Sequence, residues 1–260
     1  MSSHGMHVVH DGPLDGPPLV LIHGSGAAGG CWGPMVPMLA ARHHVIRVDL
    51  PGCGRSAPPA SYAVPDQAAR VAALLDELGL RHVTVAGHSS GGYVATALAE
   101  RRPELVRSIA LISCGPRLDA LLPQPLLLRV LMAPPLGRLL WSRRSDELTR
   151  KGLASIAAGP VEIPDEAVAE LRGTTYSAFR GVMRGNGAYV SAESVPHRLA
   201  ALGFPVLVIF GAADPRWDPE SARQYYAVPD VRIEMLAGVG HLPMFEDPEA
   251  TGKLLLDFAA

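Results

Sequence analysis

The chain has 260 residues, 48% of them hydrophobic, and its formal net charge at pH 7 is −2. This length suits one domain with a large insertion, and the apolar share is typical of a packed globule rather than a disordered chain. A pI near 6.5 gives no electrostatic basis for binding nucleic acid or an anionic membrane. We therefore expect a globular protein without nucleic-acid or membrane partners, and the sequence leaves a homodimer open.

The cysteines and the apolar segments indicate the cellular compartment of the protein. Cys31, Cys53 and Cys114 are widely spaced, with no C-x-x-C, which favours reduced thiols over disulfides or a zinc site. The first residues, MSSHGMHVVHDG, lack the basic and apolar segments of a signal peptide. Prolines and arginines interrupt the most apolar stretch (121–141), so it does not suit a membrane-spanning helix. We expect a cytoplasmic protein.

The first part of the chain alternates strand and helix patterns. Three continuously apolar runs, typical of parallel strands covered on both faces, are PLVLIHG (18–24), HVIRVDLPG (44–52) and HVTVAGHS (82–89). A helix is predicted over 66–80, where Val71, Leu74, Leu75 and Leu78 form one buried stripe. A second helix is predicted over 92–104, before the run SIALISCG (108–115). Because little chain precedes residue 18, we expect the usual first strand or two of such a sheet to be truncated.

The alternation fails from about Pro116 to Gly203, a region rich in Pro, Leu and Arg with helical patterns at 163–171 and 174–185. It resumes with PVLVIFGAAD (205–214), the apparent strand VRIEML, and a helix over 247–260 that Asp247 caps and Pro248 begins. The pattern predicts an α/β fold with a doubly wound, mostly parallel sheet. The predicted parts are a core (1–115), a helical cap or lid (116–203) and the rest of the core (204–260).

The glycines after the first predicted strand have two interpretations. Gly24, Gly26 and Gly29 match the dinucleotide-binding pattern G-x-G-x-x-G, and Asp49 follows at about the distance of a ribose-binding acid. Against a nicotinamide oxidoreductase, Gly33, Pro34 and Pro37 interrupt the helix that should start there. The lysine that short-chain dehydrogenases place four residues after a tyrosine is also missing.

The second pattern is G-x-S-x-G, the sharp strand-to-helix turn that presents a nucleophilic serine. Centred on Ser89, its flanking residues are Gly87 and Gly91; centred on Ser90, the first flank would be His88. Ser89 is therefore the predicted nucleophile, and the alternative is a serine that only caps the following helix.

A serine nucleophile needs a histidine base and an orienting acid, which in enzymes with this turn follow in the order acid, then histidine. His241 lies in a small loop after VRIEML, whereas His197 precedes a strand at the wrong end of the sheet. Asp214 follows the end of the 205–214 run and is the predicted acid. Asp119 and Asp218 remain alternatives for the acid.

The developing oxyanion needs N–H donors. The backbone N–H of Ser90 lies at the helix start, and the loop HGSG (23–26) offers the N–H of Ser25. We expect the ring of His23 to brace this loop.

Together these residues resemble the α/β-hydrolase superfamily, in its branch of small-molecule esterases and C–C hydrolases. The matching segments are HGSG (23–26), DLPGCGRS (49–56), GHSSGG (87–92), GAADP (211–215) and GVGHLPMFEDPE (238–249). The resemblance implies a serine hydrolase that uses no cofactor or metal. A serine at position 89 argues against dehalogenase and epoxide hydrolase chemistry, which use an aspartate. Leu242 stands where many C–C hydrolases of the family carry tryptophan.

The sequence thus predicts hydrolysis of a small-to-medium, largely apolar carboxylic ester through Ser89, His241 and Asp214 and an acyl-enzyme. Trp217, Leu128 and Met132 are predicted to contact the small-molecule substrate. Three alternatives stay open. The first is the same residues acting on a thioester, a C–C bond or an intramolecular acyl transfer in a biosynthetic pathway. The second is a small-molecule receptor, and the third is the nicotinamide oxidoreductase discussed above.

Overall fold

The computed structural model describes residues 5–124 and 126–260, and the side chains of 127, 128 and 131 lie outside that description. Its seven strands are β1 (Val8–Asp11), β2 (Pro18–Ile22), β3 (His44–Val48), β4 (Val83–His88), β5 (Val106–Ile112), β6 (Val206–Gly211) and β7 (Val231–Leu236). The α-helices of the described residues are α1 (Val36–Leu39), α2 (Val64–Glu77), α3 (Gly91–Arg101), α4 (Leu126–Leu131), α5 (Leu136–Arg143), α6 (Asp146–Ala154), α7 (Asp165–Gly173), α8 (Tyr176–Ala192), α9 (Val195–Ala200), α10 (Pro243–Glu246) and α11 (Pro248–Ala259).

The strands form one sheet in the order β1-β3-β2-β4-β5-β6-β7. Every pair is parallel except β1 with β3, which confirms the predicted doubly wound, mostly parallel sheet. The chain leaves β2 for β3 on one side and returns to β4 on the other. A crevice for ligands forms at such a reversal, outside the carboxyl ends of the strands. The loops after β2 and β4 therefore border the candidate site.

The usual first strand or two of such a sheet was predicted to be truncated, and the amino-terminal segment contains one strand. Val8–Asp11 pairs antiparallel with β3, so that Val8 lies opposite Val48. Its burial pattern is intermediate to exposed rather than continuously buried, which is typical of an edge strand. The apolar signal used for the other strands is therefore absent there.

Both faces of the sheet are covered, which explains the continuously apolar strands. Val20 and Ile22 of β2 pack into a core with α2 and α3. Leu19 and Leu21 of the same strand pack on the opposite face, beside Trp32. Helix α2 ends one residue before Leu78, which becomes its C-cap and is 37% exposed. The predicted apolar stripe of this helix therefore stops at Leu75.

Helices α4 to α9 lie between β5 and β6. The predicted helices at 163–171 and 174–185 correspond to α7 and α8, and α8 continues to Ala192. This segment contacts the loop after β2, because Thr174 Oγ1 donates to the carbonyl of Gly26 over 3.4 Å. No helix among the described residues is long and apolar enough to cross a membrane.

Candidate active site

Ser89 occupies the turn between β4 and α3 with a φ of +50°. This left-handed conformation is costly for a side chain larger than glycine, and such strain concentrates at functional sites. The Ser89 N–H donates to the carbonyl of Ile112 on β5 over 2.8 Å. The neighbouring strand thus holds the turn in place.

The two glycines that flank Ser89 are required by close backbone contacts. A Cβ added to Gly91 would lie 2.2 Å from the carbonyl oxygen of Ile22, and one added to Gly87 would lie 2.4 Å from the carbonyl carbon of Gly91. Any larger residue at either position would clash with main chain that cannot move independently. The spacing that selected Ser89 over Ser90 therefore has a steric basis.

His241 lies beside Ser89, in the loop after β7. Its Nε2 is 3.1 Å from Ser89 Oγ, and its Nδ1 is 2.8 Å from Asp214 Oδ2. Because a carboxylate only accepts hydrogen bonds, Nδ1 carries the proton. In the neutral ring, Nε2 is then the acceptor that faces the serine hydroxyl.

Asp214 follows β6 and is 2% exposed. Its Oδ1 accepts the backbone N–H groups of Arg216 at 2.7 Å and of Trp217 at 3.1 Å. The carboxylate is therefore fixed on one side by main chain and turned toward His241 on the other. The arrangement can accept the serine proton at His241 and stabilise the imidazolium that results.

The alternative residues have other partners. Asp218 caps the helical turn Pro219–Ala227 and accepts from the Glu220 N–H over 3.1 Å. Asp119 is exposed and lies 3.4 Å from Arg117. His197 is exposed and contacts Glu193. The structure brings none of these three side chains to Ser89.

Two further histidines support the site. His88 precedes Ser89, and its Nε2–H donates to the carbonyl of His241 over 2.8 Å. Burial, with a smaller effect from the nearby His241 ring, lowers the pKa of His88 to about 3, so this ring stays neutral near pH 7. Sequence analysis missed this role, because a histidine within a strand has no recognisable spacing to a distant carbonyl.

His23 braces the loop after β2, as expected from the sequence. Its Nδ1–H donates to the Gly24 carbonyl at 2.8 Å, and its Nε2 accepts from the Leu50 N–H at 2.9 Å. Burial lowers the pKa of His23. The neutral ring thus joins the loops after β2 and β3.

Ser25 and Ser90, the predicted oxyanion-binding residues, lie together beside Ser89. Their hydroxyl oxygens are 2.9 Å apart, and Asn186 Nδ2 of α8 donates to Ser25 Oγ over 3.0 Å. Neither serine's backbone N–H has an acceptor within the described residues, so both donors are free for a ligand. Asn186 was not predicted, since it lies 161 residues from Ser25.

The glycine-rich loop is built differently from a dinucleotide site. A Cβ on Gly24 would lie 2.9 Å from His88 Nδ1, so this glycine lets the loop approach the turn at Ser89. Asp49 Oδ1 accepts from the Gly29 N–H, and Oδ2 accepts from the Arg55 N–H. Both carboxylate oxygens of Asp49 therefore accept backbone N–H groups of loops. In a dinucleotide site, one of these oxygens would have to bind the ribose instead.

Glu246 holds the histidine loop through three backbone hydrogen bonds. Its Oε2 accepts from Ala158 at 2.7 Å and from Gly240 at 2.8 Å, and its Oε1 accepts from Leu242 at 2.9 Å. The N–H groups of Gly240 and Leu242 flank His241. Sequence analysis did not identify this role of Glu246, because the contact with Ala158 spans 88 residues.

A pocket of about 60 Å³ lies beside Ser89. Its lining residues are Ser25, Ser89, Ser90, Tyr93, Leu118, Leu121, Met183, Asn186, Gly187, Arg216 and Trp217. Of the predicted substrate contacts, Trp217 lines the pocket, whereas the Leu128 side chain lies outside the described residues. Met132 is not among the lining residues in the described chain, and its carbonyl accepts from the Tyr176 hydroxyl over 2.7 Å. Arg216 was not predicted.

The three cysteines are unsuited to act as nucleophiles near pH 7. Burial raises the pKa values of Cys53 and Cys114 to about 12, and burial likewise raises that of Cys31. A thiol reacts as its thiolate, so these groups are inert near pH 7. Within the described ranges, no cluster of three or more His, Cys, Asp or Glu side chains could hold a metal ion.

The chain is similar to several known proteins. Residues 19–253 match the model of the alpha/beta hydrolase family. An uncharacterized protein of Mycobacterium tuberculosis is 29% identical over 253 residues, or 90% of this chain and 72% of that protein. A pimeloyl-[acyl-carrier protein] methyl ester esterase of Aeromonas hydrophila is 43% identical over 103 residues, which is 39% of each chain.

A solved structure shares nearly the whole fold. The crystal structure of wild-type Cfl2 from Burkholderia cenocepacia superposes with a TM-score of 0.81 at 29% identity, covering 98% of this chain and 92% of that one. The family match includes strands β3 to β7 and the turn that carries Ser89. The chain therefore belongs to the alpha/beta hydrolase family and is a hydrolase.

Proposed function

We propose that this protein is a serine hydrolase that cleaves a small-to-medium carboxylic ester. The observation that carries the proposal is the continuous hydrogen-bonded series from Ser89 Oγ through His241 to Asp214, at 3.1 Å and 2.8 Å. Ser89 attacks the ester carbonyl while His241 Nε2 accepts its proton. His241 then gives that proton to the leaving alkoxide, which departs as the alcohol. Water, activated by the same ring, hydrolyses the acyl-enzyme.

The tetrahedral intermediate requires donors for its oxyanion. The free N–H groups of Ser25 and Ser90 supply them, and the Ser90 N–H also lies at the start of α3, where the helix dipole favours negative charge. The hydrogen bond between the two serine hydroxyls supports this role, because it joins the two loops that carry the donors.

The substrate occupies the pocket beside Ser89. Leu118, Leu121, Met183 and Trp217 give it apolar walls, which favours an ester with a short apolar chain. The volume corresponds to roughly four water molecules. Leu118, Leu121 and Met183 come from the segment 116–203, which acts as a cap over the site.

The proposal is tested by replacing Ser89. Ser89→Ala is expected to lower turnover of p-nitrophenyl acetate by at least about 10⁴-fold, since the residues act as a unit. A fluorophosphonate probe should label the wild-type chain at Ser89 and leave the variant unlabelled. Ser155→Ala is the matched control, since Ser155 is exposed at the end of α6 and its hydroxyl contacts only the Gly152 carbonyl. If Ser89→Ala keeps wild-type turnover, Ser89 is not the nucleophile.

A further inference from the structure

The segment that follows Asp214 carries two pocket-lining residues, Arg216 and Trp217, whose side-chain donors are unpaired among the described residues. Asp214 Oδ1 binds the backbone N–H groups of Arg216 and Trp217, so the acid fixes the turn that carries both side chains. On the other side, Leu122 donates to the Arg216 carbonyl over 2.9 Å, and Trp217 bridges with Leu121. Arg216 and Trp217 are thus held at the pocket wall by main chain.

Arg216 has a charge without an ion-pair partner. No carboxylate of the described residues lies within ion-pair distance of its guanidinium, and its side chain makes no hydrogen bond there. Burial lowers the pKa of this guanidinium, and the nearby Asp214 charge only partly opposes the shift. Both oxygens of Asp214 are already engaged, by backbone N–H groups and by His241. The donors of Arg216 therefore remain available.

Trp217 adds a second unpaired donor. The residue is 5% exposed, and its Nε1–H is buried without an acceptor among the described residues. An unsatisfied buried donor costs free energy, and native structures rarely leave one without a partner. Arg216 and Trp217 line the same pocket as Ser89, so a ligand with acceptor oxygens and a negative charge would satisfy both.

We infer that the acyl group of the substrate carries a second carboxylate, which Arg216 binds with help from the Trp217 N–H. This inference rests on the proposed function and narrows its substrate class to the half-esters of short dicarboxylic acids. We place the second carboxylate on the acyl side of the ester, because the acyl group stays attached to Ser89 while the alcohol leaves and water enters. The apolar side chains then contact the methylene groups between the two carboxyl carbons, and the pocket volume limits them to a few.

The test compares two esters of nearly equal shape. Monomethyl succinate carries the second carboxylate, whereas methyl 4-oxopentanoate has a neutral methyl ketone in its place. We expect the wild-type kcat/KM to be at least about 10-fold higher for monomethyl succinate, as for a hydrogen-bonded ion pair. Arg216→Gln should lower kcat/KM for monomethyl succinate about 10- to 100-fold and bring the ratio of the two esters close to one. Arg223→Gln, at a guanidinium 75% exposed, should leave the ratio unchanged.

Each other outcome is decisive. If Arg216→Gln lowers kcat/KM by the same factor for both esters, Arg216 acts on Asp214 rather than on the substrate, and the inference is wrong. If the variant does not fold, the wild-type ratio decides, and a ratio near or below one overturns the inference. Hydrolysis of p-nitrophenyl acetate without hydrolysis of monomethyl succinate overturns the inference but leaves the proposed function standing. If the wild-type protein hydrolyses neither p-nitrophenyl acetate nor monomethyl succinate, the proposed function is overturned, and the inference with it.

Discussion

In the proposed mechanism, the orientation of single hydrogen bonds decides whether Ser89 is activated. Asp214 Oδ2 accepts the His241 Nδ1 proton, and this leaves Nε2 unprotonated toward Ser89. Asp214 Oδ1 is committed to two backbone N–H groups. Oδ1 therefore holds the backbone turn and Oδ2 orients His241. A donor in place of Oδ2 would change the tautomer of the ring, whereas a donor in place of Oδ1 would face two N–H groups.

Asp214→Asn tests this directly. The amide oxygen must face the two backbone N–H groups, so its NH₂ group faces His241 Nδ1. The His241 ring then accepts a hydrogen bond at Nδ1 and carries its own proton on Nε2. Because Nε2 is already protonated, it cannot accept the proton of Ser89. We expect kcat for p-nitrophenyl acetate at neutral pH to fall by about 10³- to 10⁴-fold, the size of effect seen when a triad histidine is held in the wrong tautomer.

Asp218→Asn is the control for that variant. Asp218 caps the turn Pro219–Ala227 with one acceptor oxygen, which asparagine also supplies, so kcat should stay within about twofold of wild type. A loss of less than about tenfold in Asp214→Asn would show that Asp214 does not set the state of His241.

At the scale of elements, Glu246 joins the histidine loop to the segment after α6. The carboxylate sits at the end of α10 and binds backbone on both sides of His241 as well as Ala158. The His241 N–H donates to the Ile156 carbonyl over 2.9 Å, so the two segments are joined twice. In the proposed mechanism, Glu246 is a positioning residue, because it contacts the loop of His241 through main chain rather than the substrate.

Glu246→Ala leaves three N–H groups without their acceptor. We expect kcat to fall about 10- to 100-fold with little change in KM, because substrate contacts remain while His241 loses its fixed position. The free energy of unfolding should fall by about 2 kcal/mol or more, since the lost bonds involve a charged acceptor. Steady-state kinetics and urea unfolding measure the two effects.

Two companion variants separate positioning from general stability. Glu246→Gln keeps one oxygen that can accept some of the three N–H groups. It should recover part of the kcat that Glu246→Ala loses. Glu249→Ala removes an exposed carboxylate from the first turn of α11; it should leave kcat unchanged and lower the free energy of unfolding by less than about 1 kcal/mol, through the helix dipole alone. A Glu246→Ala enzyme that loses stability but keeps its kcat would contradict the positioning role.

At the scale of the whole molecule, local patterns and distant contacts differ in what the sequence predicts. The runs at 44–52 and 205–214 locate β3 and β6, because strands buried on both faces are continuously apolar. The glycines around Ser89 are predictable because they form a short pattern of fixed spacing, although the clash that requires Gly91 is with Ile22 of β2. Asn186, Arg216 and Glu246 act on residues or pockets built by other segments, and no spacing in one sequence records such contacts. The edge strand β1 escaped prediction since only one side of it pairs.

The buried histidines predict how global stability depends on pH. The folded chain releases the His88 proton at a pKa of about 3, against an ordinary value of 6.5. The unfolded chain therefore binds more protons between these values, and stability falls as the pH falls through this window. His23, whose pKa is also lowered, adds to the same trend.

His88→Gln isolates one of these groups, because glutamine can still donate to the His241 carbonyl but does not titrate. From pH 7 to pH 5, we expect the wild-type free energy of unfolding to fall by about 2 kcal/mol more than that of the variant. Urea unfolding at the two pH values measures the difference. His82→Asn, at an exposed position whose φ of +53° suits asparagine, should keep the wild-type pH dependence. Equal losses in the wild type and His88→Gln would mean that His88 is protonated as readily in the folded chain as in the unfolded one.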